Sequence, residues 1–302
     1  LGDNYPFRPQ DRGFEEVLVH GGGGVGQAPD YWGNDYFDDK YFRNGRPEKC
    51  EGYCTDVWFR EGIRFIEENR SKPFLLYLAT NAPHGPYRVP PEWAQPYAGN
   101  LGAPNANFYG MIANIDHNVG LLRKHLARLE LAENTILIFM TDNGTAAGGK
   151  FDGLDSEPSR GFIAGMRGKK SSVYDGGHRV PFFIHWPSGG LSGGRDVETL
   201  AAHIDVLPTL ADLCDIPVPD DYQPDGVSQV NTLLGTPQPS REKPLFWKMQ
   251  SGWPISKTKP YHWVSFAVVH ENWKLLTNRD GSYRELYDIA ADPFEKTELK
   301  EN

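Results

Sequence analysis

Thr135-Ile136-Leu137-Ile138-Phe139-Met140-Thr141-Asp142-Asn143-Gly144 is the stretch whose reading decides the fold. An apolar, β-branched run ends abruptly in an acid, an amide and a glycine. It reads as a buried strand that delivers two oxygen ligands to the carboxyl edge of a sheet, with Gly144 permitting the sharp turn away. Open α/β sheets bind their ligands at that edge, and a hard divalent cation such as calcium takes carboxylate and amide oxygens. Downstream, Lys169-Lys170-Ser171-Ser172-Val173-Tyr174-Asp175-Gly176-Gly177-His178-Arg179-Val180-Pro181 forms a lysine-bearing loop that leads into a second apolar strand, Phe182 to Trp186. A cation beside a positioned lysine suits a tetrahedral oxyanion, as in a sulfate or phosphate ester.

The rest of the chain agrees with an enzyme of that kind. Its 302 residues carry a formal charge of −9 and no basic run, which argues against nucleic acid as a partner. Apolar residues make up 39%, enough for a sizeable core, and no apolar stretch is long enough to cross a bilayer. Nothing in the sequence fixes an oligomeric state. Cys50 and Cys54 lack the companion cysteines or histidines of a zinc site and read as structural, and Cys214 reads as core. A disulfide between Cys50 and Cys54 requires a backbone that is not extended there.

Hydrophobic periodicity places the elements. Residues 15–20 read as a short strand, 21–53 as an irregular loop, and Thr55–Arg70 as a helix capped by Thr55 or Asp56. Phe74–Ala79 reads as a strand, 86–104 as a Pro-rich loop, and 107–131 as a core-packing helix. A helix near 198–214 carries Pro208 in its middle and should kink there or break into two short helices. Strand–helix alternation implies an α/β fold with a mostly parallel sheet flanked by helices. Short strand patterns at 245–249, 261–269, 273–277 and 284–288 imply a small antiparallel appendage, so we divide the chain at 1–239 and 240–302.

Two further motifs compete for function. Gly21-Gly22-Gly23-Gly24-Val25-Gly26 satisfies the dinucleotide-binding pattern literally, but the residues after it include Pro29 and Gly33 and carry no helical stripe, so it reads as loop. His84, between Pro83 and Pro86 at the end of the 74–79 strand, can donate a hydrogen bond to an anion or protonate a leaving alkoxide.

Taken together, Ala82–His84 (APH), Thr141–Gly144 (TDNG), Gly168–Pro181 (GKKSSVYDGGHRVP), Ile204–Leu210 (IDVLPTL) and Glu285–Glu295 (ELYDIAADPFE) resemble the formylglycine-dependent sulfatases, the arylsulfatase-like branch of the alkaline phosphatase superfamily. The resemblance covers nearly the whole chain. It implies an alkaline-phosphatase-like sandwich with a small C-terminal subdomain, and one calcium ion with Asp142 and Asn143 among its ligands. It implies Lys170 as the residue that holds the sulfate, and His84 as the residue that contacts the ester and helps the leaving group. It leaves His178 at a variable position that could face substrate. It further implies a small-molecule or glycan sulfate ester as substrate and a periplasmic or secreted parent protein.

The departures from the family also carry expectations. The family's nucleophile, a Cys or Ser converted to formylglycine, lies in C/S-x-P-x-R. Ser156-Glu157-Pro158-Ser159-Arg160 has those residue types, but it lies after the TDNG strand, the wrong place in the family's order, and is set aside. Leu1-Gly2 looks like the tail of the family's G-K-x-H-L-G. The nucleophile and the remaining calcium ligands are therefore expected upstream of Leu1, and little or no turnover is expected from these 302 residues alone. The rival readings are a phosphodiesterase or phosphonate hydrolase of the same superfamily, and a non-catalytic glycan-binding module. Loops 21–53 and 86–106, aromatic and polar, would line a carbohydrate-sized cleft.

Overall fold

The computed structural model describes residues 2, 4–21, 24–25, 35–101, 105–146, 164–249, 265–281 and 283–299. Parts of the Gly21–Gly26 run, the Ser156–Arg160 stretch and the start of the 261–269 strand lie outside the described residues. Two compact units divide the chain at Ala132 and Glu133.

The first unit is built on a three-stranded antiparallel sheet of β1 (Leu18–Val19), β2 (Lys40–Arg43) and β3 (Arg46–Lys49). The expected irregular loop over 21–53 therefore holds a hairpin. Its turn is Asn44-Gly45, with φ of 51° and 81°, and Asn-Gly is the strongest short-range hairpin signal because both residues tolerate positive φ. Helix α1 (Cys54–Asn69) comes next, with Tyr53 rather than Thr55 or Asp56 at its cap. Asp56 faces helix α3 (Asn105–Arg128), and its Oδ1 accepts from Nδ2 of Asn114 at 2.9 Å and of Asn118 at 2.8 Å. Met111, Ile115, Leu122 and Leu126 line the buried side of α3, as the periodicity requires. The Pro-rich segment contains helix α2 (Pro91–Leu101), started by Pro91 and Glu92 in its first turn, positions where neither loses a hydrogen bond. The core of this unit joins Tyr36, Tyr41, Tyr53, Val57, Trp58 and Met111.

Residues 74–79 keep the alternation of a strand. Leu76 and Leu78 pack on α1, where a Cβ on Gly62 would come within 2.8 Å of Leu78, while Leu75 and Tyr77 are 69% and 66% exposed. They pair with no strand among the described residues.

The second unit contains β4 (Leu137–Met140) paired antiparallel with β5 (Phe182–His185), in the register Leu137 to His185 and Met140 to Phe182. All strand pairs among the described residues are antiparallel; the parallel pairing that alternation suggested is not among them. The segment joining β4 to β5 holds, in its described part, only the one-turn helix α4 (Asp175–His178), not a full crossover helix. Helix α5 (Val206–Leu213) has Pro208 in its first turn, so no interior kink arises. Cys214 lies just past the end of α5 and is exposed, not core; Cys50 and Cys54 are both free and buried. After α6 (Val230–Leu234), the antiparallel appendage is present as β6 (Leu245–Lys248), β7 (Phe266–His270), β8 (Trp273–Thr277) and β9 (Arg284–Asp288), in sequential order. Ala267, Leu276 and Tyr287 of this sheet share a core with Val173 and Tyr174. The appended sheet thus packs on the lysine-bearing loop.

Candidate functional site

Strand β4 ends at Met140, and Thr141–Thr145 turns away from it. Thr141 Oγ1 donates to Asn143 O at 3.2 Å, and Asn143 Nδ2 donates to Gly144 O at 3.0 Å. That commits the amide nitrogen and leaves Asn143 Oδ1 as an acceptor with no hydrogen bond to a described residue. The Asp142 carboxylate is exposed and makes no hydrogen bond or ion pair with one. Two hard oxygens at a strand end fit a calcium ion in part, since calcium takes six to eight. Among the described residues no group of three or more acidic, histidine or cysteine side chains completes a metal site.

The lysine loop is fastened to this turn by its backbone. Gly144 N donates to Gly177 O at 3.0 Å, and Lys170 N donates to Thr145 O at 2.8 Å. The two chains approach so closely that side chains are excluded. A Cβ on Gly144 would overlap Gly176 O and lie 2.7 Å from its carbonyl carbon; within the loop itself, a Cβ on Gly177 would lie 2.7 Å from Lys169 O. Glycine is required here by space, not by turn geometry. The structure thus brings Lys170 onto the segment that carries Asp142 and Asn143. The Lys170 side chain is half-buried and forms no ion pair with a described residue, whereas Lys169 is exposed.

His178, which the resemblance left at a position that could face substrate, is largely covered by its neighbours. Its ring stacks on Trp247 with centroids 4.5 Å apart, and its Nε2 lies 3.0 Å from Lys274 Nζ and 3.1 Å from Val173 O. A lysine only donates and a carbonyl only accepts, so the ring's charge decides which contact is a hydrogen bond. Burial and the neighbouring Lys274 cation push His178 down to about 4, so the neutral ring accepts from Lys274.

Two groups that sequence reasoning passed over hold this region. Lys274, on β8, is fully buried and contacts Asp175 Oδ1 at 2.6 Å and Glu295 Oε1 at 2.7 Å. Burial raises the Glu295 carboxyl above its ordinary range against the pull of Lys274. Glu285 accepts from Tyr174 at 2.8 Å and Tyr287 at 2.7 Å, and from Tyr283. The third group missed, His203, is exposed and lies with Nε2 2.8 Å from Thr141 O, one residue before Asp142. Only the apolar alternation of β8 and β9 hinted at the first two, since a lysine and a glutamate occupy inward positions there and after it.

In the first unit, His84 comes after the Phe74–Ala79 segment. Its backbone is held at both ends: the N–H donates to Asn81 O at 2.9 Å, and the carbonyl accepts from Tyr36 Oη at 2.9 Å. Asn81 Oδ1 in turn accepts from Trp58 Nε1 at 3.1 Å and Cys54 Sγ at 3.4 Å. The imidazole is exposed and its Nδ1 lies 2.8 Å from Gly85 O, a contact that needs a proton on Nδ1. Burial pushes the Cys54 thiol up to about 12, which suits a packing role rather than a nucleophilic one.

Comparison with known proteins places these features in context. The Sulfatase family matches residues 7–216, and the family described as N-sulphoglucosamine sulphohydrolase, C-terminal, matches residues 168–302. An N-acetylgalactosamine-6-O-sulfatase of Bacteroides thetaiotaomicron is 32% identical over 248 residues, 81% of this chain and 47% of that protein. Steryl-sulfatase of Rattus norvegicus is 33% identical over 183 residues, 60% of this chain and 30% of its own. The chain therefore spans about half the length, or less, of these relatives. The structure of Ps i-CgsB in complex with k-i-k-neocarrahexaose superposes with a TM-score of 0.80 at 25% identity, over 99% of this chain and 65% of that one. The phosphonate monoester hydrolase of Agrobacterium radiobacter shares the fold, with a TM-score of 0.57 at 22% identity over 81% and 56% of the two chains. The fold is that of the alkaline-phosphatase-like sulfatases, with a four-stranded antiparallel C-terminal sheet.

Proposed function

The chain belongs to the sulfatase family, and we propose that its residues serve hydrolysis of sulfuric esters of the calcium- and formylglycine-dependent kind. The observation that carries the reading is the pair of backbone bonds that seats Lys170 against the Asp142–Asn143 turn. That juxtaposition supplies what a sulfuryl group needs: hard oxygens for a cation and a half-buried ammonium for its own oxygens.

Asp142 and Asn143 would supply two of the oxygen ligands to calcium, which when bound neutralises charge on the ester. Lys170 holds the anion, its three donors meeting sulfuryl oxygens. In the first unit, His84 is the residue that would protonate the leaving alcohol, as the imidazolium. His178 stays neutral and buried, and supports the loop instead of touching substrate. A sulfated carbohydrate is favoured over a simple aryl sulfate by the N-acetylgalactosamine-6-O-sulfatase relative and by the neighbour solved with k-i-k-neocarrahexaose. A periplasmic or secreted location accords with that substrate, and no helix among the described residues is long and apolar enough to cross a membrane.

The test is sulfate release from an aryl sulfate and from a sulfated oligosaccharide, beside the matching phosphate ester, on the longest polypeptide that carries these residues. Lys170→Ala and His84→Ala should each lower turnover at least about tenfold. Wild-type rates in both variants would refute the assignment, and a preference for the phosphate ester would move it to the phosphonate hydrolase side of the fold.

A further inference from the structure

Lys274 reaches the lysine loop from the C-terminal sheet, and the contacts it makes there exceed what packing requires. Its ammonium meets Asp175 Oδ1, Glu295 Oε1 and His178 Nε2 at 2.6, 2.7 and 3.0 Å. Glu295 is also fully buried, and its Oε2 accepts the backbone N–H of Asp175 at 2.7 Å. The first residue of α4 is thus tied twice to the C-terminal part of the chain, by its carboxylate to Lys274 on β8 and by its backbone to Glu295 beyond β9. Arg167 adds a third tie: its Nη1 donates to Glu295 O at 3.0 Å and to Tyr287 Oη at 2.7 Å, while its own carbonyl accepts from Gly176 N at 2.7 Å.

From Asp175 the connection to the site is short. Gly177, two residues on, accepts from Gly144 N, and Lys170 N donates to Thr145 O. The contact between the two segments allows little slack, because the Gly176 carbonyl fills the space a side chain on Gly144 would need. A displacement of α4 therefore moves the Asp142–Asn143 turn and the Lys170 backbone together.

We propose that Lys274 and Glu295 are positioning residues for the anion-holding loop: the C-terminal sheet sets the place of Lys170 through Asp175. This rests on the reading of Lys170 as the residue that grips the sulfuryl group. Stability alone is a weak reason for such a cluster, since well-packed apolar residues replace buried ion pairs at little loss. A buried cation hydrogen-bonded to Asp175 and His178 and ion-paired to Glu295 instead fixes position, because its two hydrogen bonds must be met at defined angles.

The test uses the whole 302-residue chain, with inorganic sulfate as the probe. Calorimetric titration gives sulfate affinity, and amide hydrogen exchange follows Gly144 and Lys170, whose N–H groups report the two backbone bonds. NMR titration of the His178 ring supplies a local signature. In Lys274→Met, exchange at both amides should rise at least about tenfold as the turn opens locally. Sulfate binding should weaken about fivefold or more, consistent with loss of an aligned charge-assisted contact. The His178 titration should move upward once the adjacent cation is gone. Lys274→Arg should recover part of each change. Where Lys274→Met does not fold, Glu295→Gln removes one arm of the cluster and should shift exchange and sulfate affinity in the same direction. Folded variants with wild-type exchange at Gly144 and Lys170 overturn the proposal. If Lys170→Ala binds sulfate as tightly as wild type, the anion reading fails separately, and the exchange result still decides whether Lys274 positions the loop.

Discussion

Replacing Gly144 by alanine tests the packing on which the whole site depends. The added Cβ would overlap Gly176 O and stand 2.7 Å from Gly176 C and 3.1 Å from Gly177 C. All three are backbone atoms, so no side chain can swing aside. Overpacking of a tight interior costs about 1–3 kcal/mol. Separating the segments also breaks the Gly144 N to Gly177 O bond, worth about 0.5–1.5 kcal/mol net. The sum is about 1.5–4.5 kcal/mol, which at an m-value of about 2 kcal/mol/M lowers the urea midpoint by roughly 0.8–2.2 M. Gly120 is the matched control. It lies within α3 with open space where a Cβ would stand, so Gly120→Ala should stabilise by about 0.5–1 kcal/mol through helix propensity alone. Urea unfolding followed by circular dichroism reads both. A Gly144→Ala midpoint within about 0.2 M of wild type would refute the close-packing argument, whatever the control does.

Asp56→Ala should lower Tm by roughly 5–10 °C, because Asn114 Nδ2 loses its partner and Asn118 Nδ2 loses its charged one inside the α1–α3 contact. Asp56→Asn keeps an acceptor and should cost markedly less; equal losses in calorimetry would argue against the buried amide pair as the cause. Stability should also fall with acid through His178. Its folded pKa lies near 4, below the unfolded value of 6.5, so below pH 6.5 the unfolded chain takes up a proton that the native one refuses. This contribution is intact above pH 6.5 and is lost between 6.5 and about 4, by up to on the order of 3 kcal/mol. His178→Gln should flatten that part of the stability–pH curve, and an unchanged slope would show that the ring is not buried neutral.

Much of this was legible from residue order. The runs at 137–140 and 182–185 announced themselves as strands, and α3 by a repeat that buries Met111, Ile115, Leu122 and Leu126. The β2–β3 hairpin was also written, in Asn44-Gly45, but lay in a segment whose glycine content reads as coil. Helix α2 was obscured by Pro96, which its interior tolerates. Of the proposed residues, Asp142, Asn143 and Lys170 in the second unit and His84 in the first stood in local motifs. The orientation of His178 did not, because Trp247 and Lys274 determine it from far along the chain. Lys274 and Glu295 were hidden for the same physical reason. A charged residue on an alternating strand looks solvent-facing until its partners are known.

The tie between Asp175 and Glu295 spans 120 residues, and this has a consequence in time. A ribosome adding about 5–20 residues per second takes roughly 6–24 s to cover that distance. For that interval the lysine loop exists without its anchor, with Asp175 facing water or a chaperone. The half of the unit that bears the lysine loop is therefore written first and set last, and a ribosome halted before Lys274 releases a chain that carries the motifs without the means to hold them in place.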